Sequence, residues 1–98
     1  MKRLKLTVAY DGTNYCGWQI QPNGITVEEV LNRGLRKLTG EEITVIGASR
    51  TDSGVHALGN VAVFDSETSI PPERISYALN QRLPDDIVVI RSEEVPAD

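Results

Sequence analysis

Residues 3–10 alternate in character. Leu4, Leu6, Val8 and Tyr10 fall on one side of an extended chain, and Arg3, Lys5 and Thr7 fall on the other. Side chains of a strand point alternately to two faces, so this pattern calls for a sheet with one packed face and one open face. Asp11-Gly12 ends the strand, and a loop containing Asn14, Gly17, Pro22, Asn23 and Gly24 follows. Thr26 then opens a helix through a capping box. Its hydroxyl is placed to accept from the Glu29 amide, and the Glu29 carboxylate to reach back to the Thr26 amide. Val27, Val30, Leu31, Leu35 and Leu38 form the apolar stripe of that helix, and Gly40 suits the left-handed residue that closes it.

Residues 43–48 are β-branched and apolar and predict a well-buried strand. Residues 49–59 predict a loop, and Asn60, Val61, Ala62, Val63 and Phe64 a third strand. Ser69, Pro71 and Pro72 mark a second helix start, since proline is tolerated in a first turn. Ile75, Ala78, Leu79 and Leu83 supply its stripe, Pro84 its end, and Ile87, Val88, Val89 and Ile90 a fourth strand. The order β-α-β-β-α-β closes into an α+β, ferredoxin-like sandwich, with a four-stranded antiparallel sheet and both helices on one face. Residues 1–91 are expected to form this domain. The acidic stretch 92–98 is expected to begin a linker to a C-terminal domain absent from this sequence.

With 98 residues, 40% of them hydrophobic, the chain holds one modest core. No apolar run approaches the ~18–20 residues needed to span a bilayer. Cys16 is the single cysteine and His56 the single histidine, which excludes an internal disulfide and a zinc site built within one chain, and fits a cytoplasmic setting. The net charge is −4, unevenly spread: residues 1–60 carry seven Lys/Arg against six Asp/Glu, and residues 61–98 carry three against eight. A self-sufficient nucleic-acid binder shows a basic face, and this balance argues against tight independent binding.

Familiar nucleotide sites fail on inspection. Gly12-Thr13-Asn14-Tyr15-Cys16-Gly17 has the glycine spacing of a phosphate loop, but Trp18-Gln19 replace the required Lys-Ser/Thr. No strand is followed by G-x-G-x-x-G. His56 with Ser49 or Ser53 lacks the further signals of a hydrolase. What stands out is Gly47-Ala48-Ser49-Arg50-Thr51-Asp52-Ser53-Gly54-Val55-His56-Ala57, in which a strand delivers an arginine and an aspartate two residues apart into a loop. Arg50 would favour the ionised form of Asp52, and a fixed carboxylate can serve as nucleophile, base or stabiliser of a cationic centre. Asp-Ser-Gly is equally ordinary turn chemistry, with Asp52 bonding a main-chain amide two residues on.

The segment Ser49-Arg50-Thr51-Asp52-Ser53-Gly54-Val55-His56-Ala57 resembles the catalytic segment of the tRNA pseudouridine synthase A family, (G/S)RTDxGVHA. Further likenesses follow in family order: Tyr10-Asp11-Gly12-Thr13 with Tyr15, Gly17-Trp18-Gln19, Thr26-Val27-Glu28-Glu29, Gly59-Asn60-Val61-Ala62-Val63-Phe64, and Asn80-Gln81-Arg82-Leu83-Pro84-Asp85-Asp86-Ile87. The resemblance implies an isomerase that converts uridine to pseudouridine in the tRNA anticodon stem-loop, as a homodimer, with no cofactor and no metal. It implies Asp52 as the essential carboxylate, acting covalently or by stabilising an oxocarbenium-like sugar. It implies Arg50 as the group that holds Asp52 ionised and helps fill the stack left by an extruded base, against the plainer alternative of a loop arginine on a phosphate. Trp18 and Gln19 belong either to a loop near the RNA or a dimer interface, or to a lid over the core edge. Lys2, Arg3, Lys5, Arg33, Arg36 and Lys37 read as a solvated face, and Cys16 as a small packing residue.

Two features depart from the family. Ser49 stands where many members have Gly. The later part of complete members, with a Phe-His-Ala-Arg-like motif, an active-site tyrosine and further basic surface, is missing, so the 98 residues are expected to fold without catalysing alone. Other readings are a ferredoxin-like RNA-binding module, for which only Tyr10 and Phe64 are strand aromatics, and an oligomerisation module using the open sheet face.

Overall fold

The structure, a computed structural model, describes residues 1–22, 24–47 and 57–96. Among these residues the strands and α-helices follow in the order β1 (Lys2–Tyr10), α1 (Val27–Thr39), β2 (Ile46–Gly47), β3 (Ala57–Ser66), α2 (Pro72–Asn80) and β4 (Ile87–Val95). The sheet order is β2-β3-β1-β4 with every pairing antiparallel, the α+β sandwich that the pattern of elements predicts. Leu4, Leu6, Val8 and Tyr10 are buried against Val27, Leu31 and Leu35 of α1 and Ile75 and Leu79 of α2, so both helices cover one face of the sheet. The helices pack closely at Gly34, where a β-carbon would meet Leu79 Cδ1 at 2.9 Å.

Local chemistry sets most element ends. The Thr26 hydroxyl accepts from the Glu29 amide at 3.3 Å, and Gly40 closes α1 in the left-handed region at φ 75°. Half of the expected capping box is replaced: the Glu29 carboxylate pairs with Arg33 one turn on, a spacing that places the two on the same helix face. α2 has Pro71 at its N-cap with no side-chain cap, and ends at Asn80 rather than at Pro84. Leu83 still packs against the core from beyond the helix.

Two expected strands differ in extent. Ile43 and Val45 are buried and Thr44 and Ile46 exposed, a strand-like alternation, yet among the described residues of this stretch only Ile46 and Gly47 join the ladder, opposite Val63 and Ala62. Side chains of α1 take the earlier main-chain groups instead. The Val45 N–H donates to Asn32 Oδ1 at 2.9 Å, and the Ile43 carbonyl accepts from Arg36 Nε at 3.1 Å. β3 begins at Ala57, inside the stretch expected to be loop, and runs to Ser66.

β4 continues to Val95, so residues 92–95 of the segment expected as linker belong to the sheet, paired with residues 3–6 of β1. Ser92 is buried. Its hydroxyl accepts from the Ser76 amide at 2.8 Å and donates to the Pro72 carbonyl at 2.6 Å, bridging two main-chain groups four residues apart in the first turn of α2.

The end of β1 nearest the site is flanked by irregular pairing on both sides. Val8 faces Asn60 and Tyr10 faces Ala57, so β3 uses one residue more than β1 there. Thr7 faces Arg91 and Val8 faces Val89, which leaves Ile90 as the extra, exposed residue of β4. Bulges sharpen the local twist of a sheet and re-aim its side chains.

Candidate active site

Arg50 and Asp52, with Ser49, Ser53 and His56, lie outside the described residues; what the structure gives is the frame around the segment 48–56. Among the described residues it is preceded by Gly47 on β2 and followed by Ala57 on β3. Gly47 is opposite Ala62, level with Leu6 in the middle of β1, and Ala57 is opposite Tyr10, where β1 finishes.

One aromatic pair fills this end. Trp18 is 1% exposed and Tyr10 5%, their ring centroids 5.9 Å apart and their planes tilted by 32°. Of the two places considered for Trp18, it occupies the core edge. The indole lies against Gly47 so closely that a β-carbon there would sit 2.0 Å from Nε1 and 2.7 Å from Cε2, which admits only glycine without rearrangement. Trp18 is tied in turn to the start of α1: its carbonyl accepts from the Glu28 amide at 3.0 Å, and the Gly17 carbonyl accepts from the Val27 amide at 3.1 Å. Tyr10 Oη accepts from Asn60 Nδ2 at 3.5 Å, joining the pair to β3.

A second cluster holds the loop after β1. Residues Gly12–Asn14 form a 3-10 turn whose cap is the Asp11 carboxylate, accepting from the Thr13 amide at 3.0 Å and the Thr13 hydroxyl at 2.6 Å. The Asp11 amide donates to the Asp86 carbonyl at 2.9 Å, and the Asp86 carboxylate accepts from the Tyr15 hydroxyl at 2.5 Å and from Asn14 Nδ2 at 3.4 Å. Burial, reinforced by the Asp86 carboxylate, holds the Tyr15 hydroxyl well above the usual phenol range. Tyr15 is therefore a fixed, protonated donor that clamps the loop to the turn before β4. Nothing in the residue types alone pairs positions 15 and 86. The signal lay in two separate stretches of family likeness, Tyr10 to Tyr15 and Asn80 to Ile87, which the fold brings together. Asn80 has a comparable part: its side chain donates to the Val89 carbonyl at 2.9 Å and accepts from the Val89 amide at 2.8 Å, covering the outer edge of β4.

Beside the aromatic pair, a cleft of about 250 Å³ is lined by Trp18, Gln19, Glu28, Val45, Ile46 and Gly47. Glu28 is partly occupied there, accepting from the Ile20 amide at 3.0 Å. Several of the basic residues read as a solvated face are engaged within the chain: Arg3 makes a two-bond pair with Asp65 at 2.8 and 2.9 Å, Arg33 pairs with Glu29, and Arg36 holds the Ile43 carbonyl. Cys16 is half-buried, its amide donating to the Ile25 carbonyl at 2.8 Å. Among the described residues no group of three His, Cys, Asp or Glu side chains is placed to hold a metal ion, and no helix is long and apolar enough to cross a membrane.

Comparison with known proteins bears on this frame. The family profile described as tRNA pseudouridine synthase matches residues 6–98. The chain is 57% identical over 95 residues to a protein of Thermoanaerobacter sp. (strain X514) named tRNA pseudouridine synthase A, covering 97% of this chain and 39% of that one. Proteins of the same name from Ruminiclostridium cellulolyticum and Clostridium acetobutylicum are 56% and 57% identical over 98 residues, covering all of this chain and 40% of each. The chain thus spans about two fifths of the length of these curated relatives.

Proposed function

The chain belongs to the tRNA pseudouridine synthase family, and we propose that the whole protein isomerises uridine to pseudouridine in the tRNA anticodon stem-loop, with Asp52 as its catalytic carboxylate. The reading is carried by the match over residues 6–98, which takes in the whole of Ser49-Arg50-Thr51-Asp52-Ser53-Gly54-Val55-His56-Ala57. The reaction breaks the bond from ribose C1′ to uracil N1 and forms one from C1′ to C5, with the C5 proton lost and N1 protonated. Atoms balance within the nucleoside, so no redox partner or group donor is consumed.

Each residue has a definite task in this reading. The target base leaves the helical stack, at an unstacking cost of about a few kcal/mol, and is received by the residues of the segment 48–56. Asp52, ionised beside Arg50, meets the nucleoside there as a nucleophile or as the counter-charge to a cationic sugar. Arg50 keeps the carboxylate charged and fills the vacated stack. The residues up to 91, with the rest of β4, form the N-terminal unit that carries this loop. The remaining length found in the relatives supplies the opposite wall, including the tyrosine that packs on the uracil and the basic surface that this acidic chain lacks. The protein works as a homodimer in the cytoplasm, and the 98 residues alone are incomplete as a catalyst.

The test is Asp52→Asn in the whole protein. It is expected to preserve folding and binding of an anticodon stem-loop while abolishing pseudouridine formation. Were Asp52 only a turn residue, the same change would cost about 1–2 kcal/mol of stability and leave turnover in place. That result would remove the catalytic assignment.

A further inference from the structure

Glu28 organises the cleft beside Trp18. Its main-chain N–H donates to the Trp18 carbonyl at 3.0 Å, and its carboxylate Oε1 accepts from the Ile20 amide at 3.0 Å. Gln19 is thus gripped on both sides by one residue in the first turn of α1, which fixes its main chain relative to the Glu28 carboxylate. One turn further along the same helix face, Asn32 holds the Val45 wall by accepting from the Val45 amide at 2.9 Å. Two polar groups of the cleft are left over. Among the described residues Glu28 Oε2 has no hydrogen bond or ion pair, and the exposed Gln19 side-chain amide makes none either. The walls around them are apolar, formed by Trp18, Val45 and Ile46, the last of these 60% exposed. The volume, about 250 Å³, lies below the roughly 300 Å³ at which pockets for drug-sized molecules begin, so it suits one ring system.

We infer that this cleft is a second nucleobase subsite, which receives from the RNA a base bearing an exocyclic amino group. The inference rests on the reading of the whole protein as a synthase acting on a tRNA stem-loop. Loop bases are splayed from the stack and read along their edges, with apolar side chains against the ring. A carboxylate oxygen accepts and cannot donate, so Glu28 Oε2 selects a donor such as the amine of cytosine or adenine. The Gln19 amide carries both a donor and an acceptor. It completes the pairing with the neighbouring ring nitrogen, which accepts in cytosine and adenine and donates in guanine. In uracil the one donor, N3–H, is recessed between two carbonyl oxygens that would crowd the carboxylate. The cleft therefore serves a base that is read, apart from the uridine that reacts.

The test uses the whole protein and an anticodon stem-loop. Each loop adenosine, cytidine and guanosine is replaced in turn by the analogue with hydrogen in place of the exocyclic amine. Kd is then measured with the unaltered protein and with Glu28→Gln. Glutamine keeps an oxygen for the Ile20 amide, which turns its NH2 toward the cleft, so an acceptor becomes a donor while the strap around Gln19 stays. At one loop position, loss of the amine is expected to weaken binding about tenfold with the unaltered protein and less than about twofold with Glu28→Gln. Gln19→Leu, which leaves the main-chain bonds in place, is expected to blunt the effect at that same position, and it carries the test alone should Glu28→Gln fail to fold. The inference is overturned if no loop amine is felt, or if one is felt equally by the unaltered and altered proteins. Either result is expected if a basic side chain from the remaining length of the protein fills the cleft instead. The two readings fail separately. An unaltered protein that neither binds nor modifies the stem-loop removes the proposed function, whereas one that does both without sensing any loop amine removes only the subsite.

Discussion

The two flanks of this sheet are held by different kinds of bond. On one flank, β1 pairs with β3 and β4 along nearly its whole length, and Asn80 and Ser92 finish the edge by binding main-chain groups of Val89, Ser76 and Pro72. On the other, β2 offers two ladder positions among the described residues, and the chain leading into it is held by side chains: Asn32 on Val45, Arg36 on Ile43, Trp18 on Gly47. Ladder bonds are repeated and cooperative, whereas a side-chain contact fixes one point and can be changed alone. In sequence, the segment with Arg50 and Asp52 follows directly on the second flank.

Breaking the first flank should therefore cost most and teach least about the site. Leu6 is fully buried in the middle of β1, opposite Ala62 on one side and Ser92 on the other. Leu6→Ala is expected to lower the unfolding free energy by about 2–5 kcal/mol in urea titrations. Turnover per folded molecule should stay unaltered, and a large fall in kcat would mean that the two flanks are not separable.

Asn32→Ala attacks the second flank and ranks next. It leaves the Val45 N–H buried without its acceptor, at a cost of about 1–3 kcal/mol. The loss is partly offset because Asn32 Nδ2 is itself buried with no hydrogen-bond partner. Hydrogen exchange should quicken at Val45 and Ile46 and stay slow across β1. Uniform quickening would show that the β2 flank is no looser than the rest. Asn80→Ala makes the matching cut on the first flank, removing two neutral hydrogen bonds to Val89 for about 1–2 kcal/mol, with exchange quickening at Val89 alone.

The contrast also explains what could be read from the sequence. β1, α1 and the order of elements were legible because the information is local: alternation in residues 3–10, the Thr26 cap, Gly40 at φ 75°. The limits of β2 and β4 were not. Residues 43–45 look like a ladder strand, and whether they join one depends on Asn32 and Arg36, on a helix that happens to lie alongside. Ser92 to Val95 look like the start of a linker because acidic residues there suggest solvent, yet pairing with β1 and the Ser92 bonds to α2 keep them in the sheet. At the site, Trp18 was identified as a residue of interest, but its contact with Gly47 joins positions far apart in the chain and has no counterpart in spacing. The Tyr15–Asp86 bond is of the same kind. The likeness that singled out Arg50 and Asp52 names residues and not the contacts around them.

Acid should expose the smallest difference. Asp65, paired with Arg3 across β1 and β3, is held below the usual carboxylate range chiefly by that hydrogen-bonded pair. Glu41 is held low by the Ser66 hydroxyl and the Glu67 amide, and ties the chain between α1 and β2 to the end of β3. A carboxylate with a depressed folded pKa contributes stability that is complete above its unfolded value and disappears as pH falls through the folded value. The melting temperature should accordingly drop as pH falls below about 4, and Asp65→Asn and Glu41→Gln should each flatten that drop while changing little at pH 7 relative to each other. Salt tells the two apart. Arg3–Asp65 is a pair of full charges at the surface and is screened, whereas the partners of Glu41 are neutral donors. Raising ionic strength at pH 6 should erase most of the difference between the unaltered protein and Asp65→Asn and little of that for Glu41→Gln. Equal sensitivity would mean that the tie into the β2 flank is Coulombic after all, and that the two flanks differ in the number of their bonds and not in kind.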